Sequence, residues 1–442
     1  MTAQWTPMRW PDLWTDPSSL DLLQGTAIDY LLIGKGEALG PVRTRAQQAG
    51  LHVADAAPAG VATVKGEWPG VKMARGRVGQ AIGFGGLPSV TSASANGSSV
   101  AAQAMGGPTG VPWVDSNGWL IRLESALHPE NSIWVDAPPS DARIAAGSYL
   151  VAIADSASHG GRWILSLDTQ LAADLHAKTP QALETWNKVT AAAGFFAAHK
   201  SWTAYAPVGV VGVVSGFSGQ NEFFSRELLN LLDRAGQHYR ILLREAAAIR
   251  EAAAINDASL TSLRALIYPD IEPPAPGLRK QILAFVQAGG ILIAGPKWGE
   301  LPGTPAKSDE HPRFSWRTLG KGRVAVAHED PGDPYLWAND SVVLVSHRYD
   351  LVRFWNGGAT GSFYTMSPGQ KQAVVHLLFY ANRGPDSASV RIAGRFREVK
   401  AWTVDGPVKV VGQALSPANF PKEAVEVHLP QVSQYVALEL EA

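Results

Sequence analysis

The first part of the chain alternates short apolar runs with segments whose apolar residues recur at helical spacing. The apolar runs predict strands and the periodic segments predict helices. The clearest predicted strands lie at residues 29–33, 51–54, 132–135 and 162–167. Strands and helices that alternate with short loops are typical of a parallel α/β barrel. We therefore predict a TIM-like (β/α) barrel over residues 1–204, small enough to be incomplete.

The pattern changes twice further along the chain. Residues 205–330 begin with a continuous apolar run, as in a strand buried on both faces, and then alternate helices and strands. This order predicts a flavodoxin-like, doubly wound α/β domain. Residues 331–442 carry short β-rich segments separated by turn residues, starting with a predicted strand at residues 342–346. They predict a C-terminal all-β sandwich.

Three predicted strands of the first region are followed by carboxylates, namely Asp115, Asp136 and Asp168. The carboxyl ends of parallel strands are where α/β folds place their sites, so these side chains are candidate site residues. An aspartate before a helix is also a good N-cap, because its side chain accepts a hydrogen bond from the first helical turn. The sequence leaves both interpretations open.

The composition narrows the classes of function. The formal net charge is -1 and no block of lysine or arginine occurs, which argues against nucleic acids and anionic membranes as partners. No apolar run reaches the roughly 18 residues of a membrane span, and the opening residues MTAQWTPMRWPDLW do not have the pattern of a signal peptide. The chain has no cysteine, which excludes thiol catalysis and disulfides and leaves the compartment undecided.

The histidine spacing and the tryptophan content bear on metal binding and on sugar binding. The histidines are scattered without an HExxH motif, so we expect neither a metal nor another cofactor. The 15 tryptophans are unusually many. Some of them could stack on the C–H faces of a sugar, and the alternative is that they only pack the core and interfaces.

Several segments of the second and third regions resemble glycoside hydrolases of the bacterial β-galactosidase type. They are APVGVVGVVSGFSGQNEFFSRELLNLLDRAGQHYRILL, LRALIYPDIEPPAPGLRKQILAFVQAGGILIAG, KQAVVHLLFYAN, VRIAGRFREVKAWTVDG and YVALEL. In that family a barrel is followed by a trimerisation domain and a small β-domain. The resemblance implies an exo-acting hydrolase of oligosaccharides or small glycosides, and a homo-oligomer held by the middle domain.

The family uses an acid/base carboxylate next to an Asn after the fourth strand, and a Glu nucleophile after the seventh. Here no Asn-Glu pair follows a barrel strand. Asp115 with Asn117 is a loose counterpart of the first feature, and Asp168 stands in a nucleophile-like place as Asp rather than Glu.

Glycoside cleavage needs one carboxyl to protonate the leaving oxygen and a second to attack the anomeric carbon or to activate water. We predict Asp115 and Asp168 as this pair. The predicted substrate-binding residues are Asn117, Trp113, Trp119, Lys35, Glu37 and Asp136. The alternative hypothesis is a non-catalytic carbohydrate-binding or scaffold protein that retains a glycosidase fold and has lost the pair.

Overall fold

The structure is a computed structural model. It describes residues 5–71, 114–141, 143–244, 260, 262–306, 311–355, 359–381, 386–415 and 423–442. Trp113, one of the predicted substrate-binding residues, lies outside the described residues. No helix within these ranges is both long enough and apolar enough to cross a membrane.

The first region contains short strands and longer helices. Its described strands are β1 (Pro7–Arg9), β2 (Tyr30–Leu32), β3 (His52–Ala54), β4 (Val61–Lys65), β5 (Gly70–Val71), β6 (Val114–Asp115), β7 (Ser132–Asp136), β8 (Arg162–Trp163) and β9 (Leu165–Ser166). Its described helices are α1 (Gly40–Gln48), α2 (Gly118–Leu127), α3 (Ala146–Ser158), α4 (Thr169–His176) and α5 (Pro180–Ala198). In α5, apolar residues three or four positions apart face the core, among them Trp186, Val189 and Phe196.

The strands of this region form an open barrel-like arrangement. One parallel sheet has the order β3-β2-β1-β9 and a second has the order β4-β7-β8. Only Ile164 separates β8 from β9, so one extended stretch passes from the second sheet into the first. The order around the two sheets follows the chain, as in a (β/α) barrel, but β3 and β4 are not paired. The barrel is therefore not closed.

Large aromatic side chains fill the inside of this arrangement. The rings of Tyr30 on β2 and Trp134 on β7 meet edge to face, with centroids 5.0 Å apart. Both are buried in one cluster with Leu32 and Ile164. Closed barrels usually fill this space with layers of branched aliphatic residues. Here the strands β1, β2 and β3 have only three residues each, and a few aromatic residues occupy the interior.

The second region is built on a seven-stranded sheet with helices. Its described elements are β10 (Ala206–Pro207), β11 (Val211–Ser215), α6 (Glu222–Arg234), β12 (Tyr239–Leu243), β13 (Ala265–Tyr268), α7 (Pro276–Gln287), β14 (Ile291–Ala294), β15 (Thr304–Pro305), β16 (Phe314–Leu319), β17 (Gly322–Ala327) and α8 (Pro334–Val345). The sheet order is β12-β11-β13-β14-β17-β16-β15, and the first five strands are parallel. This is the 2-1-3-4-5 order of doubly wound sheets.

One predicted element is wrong. The predicted strand at residues 342–346 is absent, because Val342 to Val345 form the last turn of helix α8. This helix lies beyond the predicted boundary at residue 330 but packs against α6, so it is described with the second region. The helix begins with Pro334 at its first position, and the side chain of Asp333 accepts a hydrogen bond from the Tyr335 backbone N–H. This N-terminal cap stabilises the helix. Because the helix is apolar around most of its circumference, the apolar run alone does not distinguish it from a strand.

Two antiparallel sheets form the last region. The described strands are β18 (Val352–Phe354), β19 (Thr360–Met366), β20 (Gln372–Phe379), β21 (Asp386–Ala393), β22 (Glu398–Thr403), β23 (Gly406–Val408), β24 (Val411–Leu415), β25 (Ala424–Val432) and β26 (Tyr435–Glu441). Their orders are β10-β19-β20-β26-β22-β23 and β18-β21-β25-β24. Leu377 of the first sheet and Ile392 and Leu429 of the second are fully buried in one shared core, so the sheets pack face to face.

Candidate functional site

Polar side chains meet at the carboxyl ends of three neighbouring strands of the open barrel. Arg9 is the last residue of β1, Asp136 ends β7 and Ser166 ends β9. The Arg9 guanidinium donates to both carboxylate oxygens of Asp136 at 2.7 and 2.8 Å, and its Nε lies 3.3 Å from Ser166 Oγ. The side chains of Arg9 and Asp136 are 41% and 28% exposed. We call Arg9, Asp136 and Ser166 the mouth network.

A second ion pair follows the next strands at this end. Lys35 comes after β2 and Asp55 after β3, and their charged groups are 2.6 Å apart. The hydrogen bond from Lys35 is the main reason that the pKa of Asp55 lies below its usual range. Glu37, also predicted from the sequence, is exposed at the start of a short 3-10 helix (Glu37–Leu39) that follows β2. Lys35, Glu37 and Asp136 are therefore the predicted site residues at this end of the strands.

Asp168 lies just beyond β9, but it is 1% exposed and serves as the N-cap of α4. Its Oδ1 accepts from the Leu171 backbone N–H at 2.8 Å. Its Oδ2 accepts from the Tyr149 hydroxyl at 2.9 Å and from the Ile144 backbone N–H at 3.0 Å. Burial raises the pKa of Tyr149 far above its ordinary value, so this hydroxyl keeps its proton and remains a donor. These contacts favour the N-cap interpretation that the sequence left open.

Asp115 is held by a different part of the molecule. Its Oδ1 accepts from the guanidinium of Arg234 on α6 at 2.7 Å, and the two side chains are 13% and 11% exposed. Burial lowers the pKa of Arg234, and the charge of Asp115 opposes this shift. Asp115 is thus bound to the middle region, whereas Asp168 is bound to α3 and α4. The structure ties the two predicted catalytic carboxylates to different helices.

Asn117 belongs to an internal polar cluster rather than to the mouth network. It is 3% exposed, its side-chain oxygen accepts from the Glu67 backbone N–H, and its backbone N–H donates to Asp155 at 2.8 Å. Asp155 is fully buried and also accepts from the hydroxyls of Ser116 and Tyr380, each at 2.7 Å. The cluster therefore joins the first region to the last.

The remaining predicted residue, Trp119, is partly buried on α2 and packs against the core shared by the middle and last regions. Sequence reasoning missed Arg9, Ser166 and Asp155. A signal existed for Ser166, which lies near the end of the predicted strand at residues 162–167, but the strand that carries Arg9 is only three residues long. Among the described residues, no group of three or more histidine, aspartate or glutamate side chains is arranged to hold a metal ion.

Comparisons with known proteins give weak similarities. No protein-family model matches the chain, and no curated protein matches it. The α-L-fucosidase isoenzyme 2 from Paenibacillus thiaminolyticus is 10% identical with a TM-score of 0.44, over 70% of this chain and 60% of that one. The cold-adapted β-galactosidase from Rahnella sp. R3 is 10% identical with a TM-score of 0.43, over 74% and 57%.

A β-galactosidase from Bacillus circulans sp. alkalophilus is also 10% identical, with a TM-score of 0.42, over 71% of this chain and 61% of that one. The chain thus spans about 60% of the length of these three solved structures. At this identity and TM-score, the similarity assigns neither a family nor an activity to the chain.

Proposed function

We propose that the chain is a carbohydrate-binding protein with the layout of a glycoside hydrolase, and that it holds a saccharide at the carboxyl ends of the open-barrel strands. The mouth network is the observation that carries this proposal, because it is the partly exposed polar constellation in the place where α/β folds bind ligands. The carboxylates of Asp115 and Asp168 already serve internal contacts.

The chemistry of the mouth network suits sugar hydroxyls, which both donate and accept hydrogen bonds. The carboxylate of Asp136 accepts, the guanidinium of Arg9 donates, and the bidentate pair fixes both in one geometry. A preorganised pair loses less side-chain entropy when a ligand binds. Lys35 after β2 adds a positive charge at the same end of the sheet, and Asp55 after β3 adds a negative charge.

Exo-acting hydrolysis of an oligosaccharide is the second candidate function, and one observation favours it. Glu67 is exposed and follows β4, whose last residue, Lys65, pairs with Asp136 at the end of β7. Two carboxylates at the ends of adjacent strands are the minimum that glycoside cleavage requires. In this form of the hypothesis Glu67 and Asp136 replace Asp115 and Asp168 as the acting pair.

The test combines binding and turnover on the full chain. Calorimetric titration with galactose, lactose and a β-galacto-oligosaccharide measures binding, and a panel of nitrophenyl glycosides measures hydrolysis. Arg9→Met should weaken saccharide binding at least tenfold because it removes the guanidinium donor. Arg45→Met is the matched control, because Arg45 forms a 2.7 Å pair with Asp21 and both side chains are half-exposed, at 44% and 51%.

Each outcome decides between the candidates. Binding without turnover, lost in Arg9→Met and kept in Arg45→Met, supports the binding protein. Turnover that disappears in Glu67→Gln establishes hydrolysis by the pair Glu67 and Asp136 instead. Turnover that disappears in a folded Asp168→Asn protein supports Asp115 and Asp168 as the catalytic pair. Neither binding nor turnover with any of these sugars rejects both candidates.

The homo-oligomer predicted for the middle region is part of this proposal. Phe223 on α6 is 75% exposed, which offers an apolar contact at that surface. Light scattering that gives the mass of one chain would contradict self-association.

A further inference from the structure

A cavity of about 580 Å³ lies where the three regions meet. Ser125 and Pro129, which precede β7, and Gly160, which precedes β8, are part of its wall. It is therefore at the amino ends of these strands, opposite the mouth network. Its volume is within the range of small-molecule sites, and such sites are common at domain junctions.

The acidic and basic side chains that line the cavity are all basic. Arg122, Arg162 and Arg240 line it, and among the described residues no aspartate or glutamate does. Arg122 stacks over the Tyr239 ring at 3.8 Å, and Asp233, which balances part of its charge at 3.5 Å, lies behind the wall. Burial lowers the pKa of Arg162 and of Arg240, as expected for guanidinium groups withdrawn from water.

The arginines also have partners within the protein: Arg122 donates to the Tyr239 carbonyl, and Arg162 donates to the Gly161 carbonyl at 2.8 Å. Helices α3 and α5 both end at the wall, and carboxyl ends of helices attract cations. Each end is already capped by its own histidine: Nδ1 of His159 donates to the Asp155 carbonyl at 2.7 Å, and Nδ1 of His199 donates to the Phe195 carbonyl at 2.8 Å. The carbonyls can only accept, so these two bonds fix the protonated nitrogen of each ring.

The rest of the wall is mainly apolar and aromatic. Phe196, Trp202 and Phe363 contribute to it, and the His199 ring stacks on Trp202 with centroids 4.3 Å apart. Aromatic walls with a few convergent charged groups favour ligands that have a flat apolar body and one charged end.

We infer that this junction cavity binds a small organic anion with a planar apolar body, the anionic group on the arginines and the body among the aromatic side chains. The site is independent of the proposed saccharide site, because it lies at the other end of the barrel strands. Arg9→Met should therefore leave its affinity unchanged.

The experiment compares two probes with the same body and different charge. Calorimetric titration of the full chain with 2-naphthoate and with the neutral 2-naphthol isolates the contribution of the anion. We expect 2-naphthoate to bind at least tenfold more tightly. Arg240→Met should reduce 2-naphthoate affinity about tenfold and leave 2-naphthol unchanged. Arg323→Met is the matched control, because Arg323 stacks on the Trp316 ring at 3.9 Å and does not line the cavity.

A second variant keeps the test decisive if Arg240→Met does not fold. Ser125→Trp places a large side chain into the cavity and should abolish binding of both probes. Equal affinity for the two probes would overturn the anion assignment. If neither probe binds, the proposed site is wrong. It is also wrong if 2-naphthoate binds with the same affinity to the wild type, Arg240→Met and Ser125→Trp.

Discussion

The contacts of Asp168 predict a large loss of stability on its removal. Asp168→Ala removes the cap of α4, which costs about 1 kcal/mol. It also removes the acceptor of the Tyr149 hydroxyl, on a side chain with no exposed surface, and of the Ile144 backbone N–H. Leaving the buried hydroxyl and the partly buried N–H without an acceptor costs about 1–3 kcal/mol more. We therefore expect the free energy of unfolding to fall by roughly 2–4 kcal/mol.

Two further variants separate these contributions. Asp333→Ala is the matched control, because Asp333 caps α8 through the Tyr335 backbone N–H and is itself exposed. It should cost only about 1 kcal/mol, the value of a cap alone. Asp168→Asn keeps an oxygen for the cap but puts an amide where Oδ2 accepts two hydrogen bonds. Its loss of stability should lie between those of the other two variants.

Urea denaturation followed by tryptophan fluorescence measures these differences. Trp14 is a suitable reporter, because its indole N–H donates to the Ala172 carbonyl in α4 at 2.9 Å. Saccharide binding by the folded Asp168→Asn protein should be unchanged. If Asp168→Ala is as stable as Asp333→Ala, or if Asp168→Asn loses function while keeping full stability, the structural role argued for this carboxylate is refuted.

Three other predictions follow from buried groups. Burial lowers the pKa of His376 from 6.5 to about 3, so between these pH values the unfolded state binds the extra proton. The contribution of this histidine to stability is complete well above pH 6.5 and falls by up to about 1.4 kcal/mol per pH unit below it. Burial also lowers the pKa of His238 to about 3, so His376→Gln should remove about half of the combined slope in urea titrations at pH 5 to 7.5. Arg234→Met leaves the Asp115 carboxylate without the cation 2.7 Å away and should cost about 3 kcal/mol of unfolding free energy. Gly118→Ala puts a Cβ 2.5 Å from Nε2 of His159 and should lower the melting temperature, although alanine favours helix.

Each of these variants has a matched control. His52 is exposed, so His52→Gln should leave the pH slope unchanged. Arg45→Met breaks an exposed pair and should cost less than about 1 kcal/mol. A Cβ at Gly194 in α5 meets nothing within 4 Å, so Gly194→Ala should stabilise the chain by about 0.5–1 kcal/mol. A pH slope in His376→Gln equal to that of the wild type, a neutral Arg234→Met or a stabilising Gly118→Ala would contradict the respective argument.

Local pattern was sufficient for many elements of the fold. The continuous apolar runs that become β7 and β11 predicted strands, because a strand buried on both faces consists almost entirely of apolar residues. The same pattern failed at Val342 to Val345, where a helix buried on most sides has no polar face to show its period. The cap at Asp333 was the local signal that distinguished the two.

Only the tertiary structure showed which polar residues form the candidate site. The sequence identified carboxylates after strands, but it could not say whether Asp168 faced a ligand or capped a helix, since both roles need the same residue at the same position. It could not join Arg9 to Asp136 across 127 positions, or Asp155 to Tyr380 across 225. Periodicity reports only which face of an element is buried. Which charged group meets that face depends on packing between elements far apart in the chain, and this packing also left the barrel open between β3 and β4.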